Sequence, residues 1–241
     1  MSIPAGKVRR IGILGGMGVE ATIELMKRVH AATDAEGDQD HVPMFVDMNP
    51  QVPSRIRHVI EKDGPDPGPV LAEMAARLEQ AGADVLAMPC NTAHLYAPQI
   101  EKNVGIALLN MPKLACEQAA QGMKQGAVVG ILASPATNST GLFKDFLSAG
   151  GVRSIYPENE TKILAAIQSI KKSGPRQTDI DCLNSEAAAL VQRGAERVII
   201  GCSEFSLVST EIEAPVPILD TLDVLVSSIV EYSGARMKSP N

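Results

Sequence analysis

Short apolar runs rich in β-branched residues alternate along this chain with stretches whose apolar positions recur every three or four residues. The first kind reads as buried strand and the second as amphipathic helix. Val8–Leu14 is a strand leading into Gly15-Gly16-Met17-Gly18, and Glu20–Ala32 is a helix with Ala21, Leu25 and Val29 on one face. Val42–Met48 reads as the next strand and Leu71–Ala81 as a helix stopped by Gly82. Val85–Met88 and Val104–Leu109 read as strands and Lys113–Gln121 as a helix. The pattern then restarts: Val128–Leu132 repeats the character of Arg10–Leu14. Thr140–Ala149 reads as a helix, Val152–Tyr156 as a strand, and Glu158–Lys172 and Leu183–Arg193 as helices. Val198–Ile200 and Val216–Asp220 are short strands, and a last helix covers Thr221–Tyr232. Strands this short and apolar, separated by helices, predict parallel sheets covered on both faces, in two similar α/β halves. The Gly/Pro-rich stretch Asp63–Pro69 reads as a loop leading into a helix, without a counterpart in the second half.

The restart is also literal. Gly82-Ala83-Asp84-Val85-Leu86-Ala87-Met88-Pro89-Cys90-Asn91-Thr92 aligns without a gap on Gly194-Ala195-Glu196-Arg197-Val198-Ile199-Ile200-Gly201-Cys202-Ser203-Glu204, at a constant offset of 112 residues. Ala75-Ala76, Leu78 and Gln80 match Ala187-Ala188, Leu190 and Gln192 at the same offset. Each copy is a helix, a strand and then a cysteine at the strand's carboxyl end, where open α/β sheets bind their ligands. A cysteine in such a turn sits near unpaired backbone N–H groups and the positive end of a following helix, which favour the thiolate. Two such thiols on opposite sides of one cleft suit removal of a proton from one face of a carbon and its return to the other. Cys116 and Cys182 fall within helical patterns and read as buried, inert thiols.

Composition narrows the partners. The 241 residues fit one large domain or two small ones, and a 45% hydrophobic content fills a sizeable core. A net charge of −6, no long basic run, no Trp and few aromatics argue against nucleic acid. No apolar run reaches spanning length, so no membrane partner is expected. The start Met1–Lys7 lacks a signal-peptide core, which makes a cytoplasmic location the expectation. The four cysteines form no C-x-x-C pair and the four histidines no H-x-x-x-H pair, so no metal site is expected.

Other candidates flank the strand ends. Gly16-Met17-Gly18-Val19-Glu20-Ala21 fits G-x-G-x-x-A, with Asp47 a possible ribose acid, but it fits equally a glycine turn approaching an anion such as a carboxylate. The segment Asp47–His58 carries Gln51, Arg55 and Arg57 to the same sheet end, and arginine grips carboxylates in a two-point fork. Lys171 and Lys172 end a helix, where cations suit the dipole. His94, one helical turn past Cys90, reads either as a general base or as a capping residue.

Gly-Gly-Met-Gly-x-Glu-Ala-Thr, Pro-Cys-Asn-Thr-Ala-His and Gly-Cys-Ser-Glu together resemble the aspartate/glutamate racemase family, nearest its aspartate racemase branch, over nearly the whole chain. The resemblance implies two flavodoxin-like parallel-sheet domains related by pseudo-two-fold symmetry, with the active site in the cleft between them. The expected halves are residues 1–112 with 221–241, carrying Cys90, and residues 113–220, carrying Cys202. It implies no cofactor, a small acidic amino-acid substrate and a homodimer. By position, Cys90 and Cys202 become the acid/base pair. Asn91, Thr92 and Ser203 hold the α-carboxylate and amino group, and Arg55 binds the side-chain carboxylate. Lys172 becomes its second ligand, with Lys171 the competing alignment, and Met17, Gln51 and Thr137 complete the substrate contacts. The chain departs from the family's usual Pro at Val19, its Thr at Ser203 and its Gly-Thr turn at Ala136-Thr137. Relatives that decarboxylate malonates keep only one of the two cysteines, so the presence of both favours racemisation.

The expected reaction is a two-base exchange, one thiolate removing the Cα proton as the opposite thiol delivers one. Two other readings stay open on residues alone: an NAD-dependent oxidoreductase using the Gly16-Met17-Gly18 turn, and a non-catalytic amino-acid-binding module.

Overall fold

Ile11, Ile13 and Leu14 are fully buried because strand β1 (Ile11–Gly15) lies at the centre of a sheet and sends alternate side chains to two covered faces. The computed structural model describes residues 8–239. The Met1–Lys7 stretch on which the expected location rests lies outside the described residues. From β1 the chain runs through helix α1 (Val19–Ala32), β2 (Met44–Met48), α2 (Gly68–Gln80), β3 (Val85–Ala87), α3 (Ala97–Asn103), β4 (Leu108–Leu109) and α4 (Met111–Ala120). The chain continues through β5 (Val128–Leu132), α5 (Pro135–Ser139), α6 (Leu142–Ala149), β6 (Arg153–Ile155), α7 (Glu160–Ser173), α8 (Gln177–Gln192), β7 (Arg197–Ile200), the four-residue α9 (Ser203–Ser206) and β8 (Ile218–Asp220), and α10 (Thr221–Ser233) returns to the first sheet.

The strands form two parallel four-stranded sheets with the same order, β2-β1-β3-β4 and β6-β5-β7-β8. The register repeats as well. Gly12 lies opposite Leu86 in the first sheet, and Gly130 opposite Val198, the residue matching Leu86, in the second. On the first sheet, Ile11, Ile13, Val85 and Ala87 pack with Leu25 and Val29 of α1 and Leu222, Leu225 and Ile229 of α10. Leu14, Leu86 and Met88 face the other way, onto Leu71, Met74 and Leu78 of α2. The second sheet divides likewise: Val129, Ile131 and Ile199 pack with Phe143 and Leu147 of α6, and Val128, Leu132, Val198 and Ile200 with α7 and α8. The fold is therefore the two-sheet α/β class expected. No described helix is long and apolar enough to cross a membrane.

Several boundaries differ from the sequence pattern. Residues 92–103 hold a 3₁₀ turn (Thr92–Tyr96) and then α3. The expected helix over Thr140–Ala149 starts at Leu142 as α6, and a short helix not expected, α5, precedes it; the two are separated at Gly141, whose φ of +70° is open to glycine. Helix α8 starts at Gln177 rather than Leu183; Asp179 accepts the N–H of Arg176 at 3.1 Å and starts it through polar residues. In both sheets the crossover direction reverses at the central strand, which opens a crevice beyond the carboxyl ends of β1 and β3 and another beyond β5 and β7.

Gly16 shapes the first of these crevices. Its φ is +91°, and an added Cβ would stand 2.4 Å from the carbonyl carbon of Asn49. The neighbour is backbone and cannot swing aside. Gly16→Ala is therefore expected to cost about 2–4 kcal/mol from the left-handed strain and the overlap together, measured by urea unfolding monitored by circular dichroism.

Candidate active site

Each sheet delivers a cysteine at its crevice. Cys90 follows β3 and Cys202 caps α9 after β7; both are buried, 8% and 6% exposed. Both line one small cavity of about 50 Å³. Four strand ends surround it: Met17 comes after β1, Cys90 and Thr92 after β3, Ser134 after β5, and Cys202 and Glu204 after β7. Arg55 and Ile56 close one side from the loop after β2, and Ile167 and Lys171 of α7 close another.

The two cysteine turns are fastened directly to each other. Ser203 Oγ donates to the carbonyl of Pro89 at 2.7 Å. Asn91 Nδ2 donates to Thr221 Oγ1 at 2.9 Å, and that hydroxyl donates to the carbonyl of Ile200 at 3.0 Å. Asn91 Oδ1 is buried without a partner.

The thiols have unlike surroundings. Cys202 Sγ donates to Glu204 Oε2 at 3.0 Å, and Glu204 Oε1 pairs with Lys171 Nζ at 3.0 Å. Burial, followed by the adjacent carboxylate and its hydrogen bond, pushes the Cys202 thiol well above its ordinary pKa; the Lys171 ammonium opposes this and loses. Cys202 is therefore a thiol at neutral pH. Burial acts against the Lys171 charge, but Glu204 and the two cysteines together outweigh it, and Lys171 stays an ammonium.

His94 is not a base. Its Nε2 accepts the N–H of Met111 at 3.2 Å, so Nδ1 carries the hydrogen and donates to the carbonyl of Cys90 at 2.9 Å. Burial lowers its pKa to about 4, leaving a neutral ring that braces the Cys90 turn.

Arg55 projects between loops. Nη1 donates to the carbonyl of Pro53 at 2.9 Å and Nη2 to that of Met17 at 3.3 Å, while its buried Nε has no partner. Among the described residues it forms no ion pair.

Of the residues singled out by sequence, Met17, Arg55, Cys90, Thr92 and Cys202 meet at the cavity. Asn91 and Ser203 lie behind the wall, clamping the turns. Four others need correction. Lys172 is exposed and off the wall; Lys171, four residues past Ile167, takes the position. Thr137 is fully buried, its hydroxyl donating to the carbonyl of Ser134 at 2.8 Å, and Ser134 itself faces the cavity. Gln51 is exposed in a turn closed by its N–H to Asn49 Oδ1. Asp47, the possible ribose acid, pairs with Arg77 Nη2 at 2.7 Å. The glycine turn approaches the backbone of Asn49, so that side of the presumed dinucleotide loop is filled by the chain itself. Ser134 and Glu204 were missed. Glu204 was legible, because it matches Thr92 at the offset that matches the cysteines. No group of three or more potential metal ligands occurs among the described residues. A wider, open depression of about 870 Å³ beside Asn159 and Glu160 contains neither cysteine.

The family model described as Asp/Glu/Hydantoin racemase matches residues 14–229. RacX of Bacillus subtilis (strain 168), a broad specificity amino-acid racemase, is 25% identical over 228 residues, covering 91% of this chain and 96% of the relative. The structure of Picrophilus torridus aspartate racemase superposes with a TM-score of 0.83 at 25% identity, over 95% of this chain and 96% of that one. An aspartate racemase homologue from Pyrococcus horikoshii shares the fold with a TM-score of 0.70 at 18% identity, over 94% and 99% of the two chains. The chain belongs to the Asp/Glu/Hydantoin racemase family and is an isomerase.

The Glu204 carboxylate is one of the groups holding the Cys202 thiol up, so its neutral analogue lowers that pKa. In Glu204→Gln, the pH profile for alkylation of Cys202 by iodoacetamide, followed by peptide mass spectrometry, is expected to move to lower pH, with the rate at pH 8 rising several-fold.

Proposed function

We propose that this protein is a cofactor-independent amino-acid racemase that interconverts L- and D-aspartate by two-base proton transfer between Cys90 and Cys202. The observation that carries the reading is that two cysteines from a duplicated strand-end unit line one small cavity. The family and the aspartate racemase among its relatives support the reaction and the substrate. Arg55, a guanidinium without a carboxylate of its own, suits the substrate's side-chain carboxylate. Lys171 stands near enough to the cavity to add a second positive charge.

At the start of one half-reaction Cys202 is the thiol, so Cys90 acts as the thiolate. Cys90 takes the Cα proton from one face while Cys202 delivers its proton to the other, and the roles are then reversed. A free thiol has a pKa of about 8.5, far below that of a Cα–H, so basicity alone does not carry the transfer. The carbanion-like state needs hydrogen bonds to the α-carboxylate, for which the Thr92 and Ser134 hydroxyls are placed on the wall. Closing the two halves around the substrate would strengthen these bonds by excluding water. Asn91 Oδ1, a buried acceptor without a partner among the described residues, is the candidate for the substrate ammonium. The proposal includes a homodimer, for which the exposed Val19 and Ile23, one turn apart on α1, offer apolar surface.

Incubated with aspartate in D₂O, the enzyme is expected to exchange the Cα hydrogen and invert the centre, followed by proton NMR and chiral chromatography. A binding module gives affinity without exchange. Cys90→Ser and Cys202→Ser are each expected to slow racemisation by about 10²- to 10⁴-fold, the scale of acid/base catalysis; wild-type rates in either variant refute the two-base scheme. Arg55→Leu is expected to lower kcat/KM for aspartate by about 10- to 100-fold, equivalent to about 1.5–3 kcal/mol for a charged hydrogen bond, mainly through KM.

A further inference from the structure

Helix α9 has four residues, too few to hold a helical turn in isolation. Its place is set by what grips its ends. Cys202 is its N-cap and Glu204 lies in its only turn, so that grip also sets where the Cys202 thiol points. At the leading end, Ser203 is bonded to Pro89 of the other cysteine turn. At the trailing end stands Arg28 of α1.

Arg28 is largely buried, with a side-chain exposure of 17%. One of its guanidinium nitrogens, Nη2, donates to the backbone carbonyl of Ser206 and, at 3.3 Å, to Ser209 Oγ. Nη1 donates to Asp220 Oδ2 and Asp223 Oδ1, both at 2.7 Å, and Nε to Glu24 Oε1 at 2.8 Å. Asp220 in turn accepts Ser206 Oγ at 2.7 Å and caps α10 through the N–H of Leu222. Ser206 is thus held twice, by its carbonyl on Arg28 and by its hydroxyl on the carboxylate that Arg28 neutralises. Such a buried, hydrogen-bonded pair lacks the softness of a surface ion pair. The same helix α1 begins at the glycine turn that brings Met17 to the cavity, and an added Cβ on Gly18 would stand 3.5 Å from Glu204 Oε1.

We propose that Arg28 is a positioning residue for Cys202: it fixes the trailing end of α9 to the opposite half and so holds the Cys202 thiol and Glu204 in register with Cys90. This rests on reading Cys202 as one of the two bases. Arg28 touches neither the cavity nor the Cys90 turn, and its link to that turn runs the longer way through Asp220, Thr221 and Asn91, so its loss falls more heavily on Cys202 than on Cys90. The enantiomers of a free amino acid have equal free energy, so kcat/KM must fall equally in the two directions whatever the variant does.

The test is Arg28→Met and Arg28→Lys, assayed for racemisation of aspartate and for alkylation of each cysteine by iodoacetamide with mass spectrometry. A misplaced reacting group costs up to about 100-fold. Arg28→Met is expected to lower kcat by about 10- to 100-fold with KM changed little, and to change the Cys202 alkylation rate several-fold more than that of Cys90. Arg28→Lys keeps the charge beside Asp220 but not the fan of donors, and should fall between Met and wild type. If Arg28→Met does not fold, Arg28→Lys and Ser206→Ala, which removes only the hydroxyl tie, decide the matter by the same ratio of alkylation rates. Wild-type kcat and an unchanged alkylation ratio in the folded variants overturn the proposal, as does an equal change at both cysteines. The alkylation ratio needs no turnover. A wild-type enzyme inert toward aspartate therefore counts against the substrate reading and leaves this one to be judged on its own.

Discussion

The hydrogen bond from Ser203 to the carbonyl of Pro89 joins the two halves at the point where each delivers its cysteine. Most of the site's geometry depends on that joint. Two sheets that merely packed side by side would leave their strand ends free to drift, and a proton-transfer pair tolerates little drift. Here the turn after β7 is bonded to the residue before Cys90, and Asn91 reaches through Thr221 to the last residue of β7. The residues flanking the cysteines are used to fix the cysteines. That explains why Asn91 and Ser203 sit behind the cavity wall rather than on it. A hydroxyl that donates to a buried carbonyl is not available as a donor for a carboxylate in the same geometry.

The same joint carries an asymmetry. At the offset that pairs the cysteines, Thr92 of the first half pairs with Glu204 of the second, and both line the cavity. One side presents a neutral hydroxyl and the other a carboxylate bonded to its own thiol. Lys171 neutralises that carboxylate without reversing its influence on Cys202. Duplication thus supplied the architecture of the proposed symmetric reaction, and the divergence of Thr92 to Glu204 is one source of the difference between the two cysteine surroundings.

Much of this was legible in the pattern of residues. The alternation of buried runs and helices placed both parallel sheets, and the literal repeat placed both cysteines at matching strand ends. Where the reading failed, the causes are local. Helix α3 has no counterpart in the expected pattern, and Pro98 falls in its first turn, where a missing N–H costs nothing. Ser134-Pro135 was an N-cap followed by a proline at the first helical position, and it started α5 five residues before the expected helix. Lys171 and Lys172 are neighbours about 100° apart around a helix, so only the phase of α7 separates them. Ile167 and Lys171 lie one turn apart and face the cavity together. That phase follows from the buried set Ile163, Ala166, Ile167 and Ile170, which the sequence already displayed. By contrast, the partners of Thr137, Ser203 and Arg28 lie far away in the chain or on the backbone, and no local pattern announces them.

The unlike thiols have a consequence set by thermodynamics rather than by the protein. With enantiomers equal in free energy, asymmetry at the site cannot favour one product at equilibrium. In the proposed two-base scheme it can act only on the enzyme, by fixing which of its two proton distributions is the more populated between turnovers. Glu204 favours the form in which Cys202 keeps its proton, because that proton is the one its carboxylate accepts. A turnover that consumes this form leaves Cys90 protonated and Cys202 charged beside a carboxylate, and the resting distribution must be regained before the next turnover in the same direction. Lys171 is the group placed to limit the cost of that second form, since its ammonium is bonded to Glu204 and stands on the same cavity. The Glu204–Lys171 pair is therefore best understood as a unit. The carboxylate sets the preference between the two forms, and the ammonium keeps the less favoured one within reach.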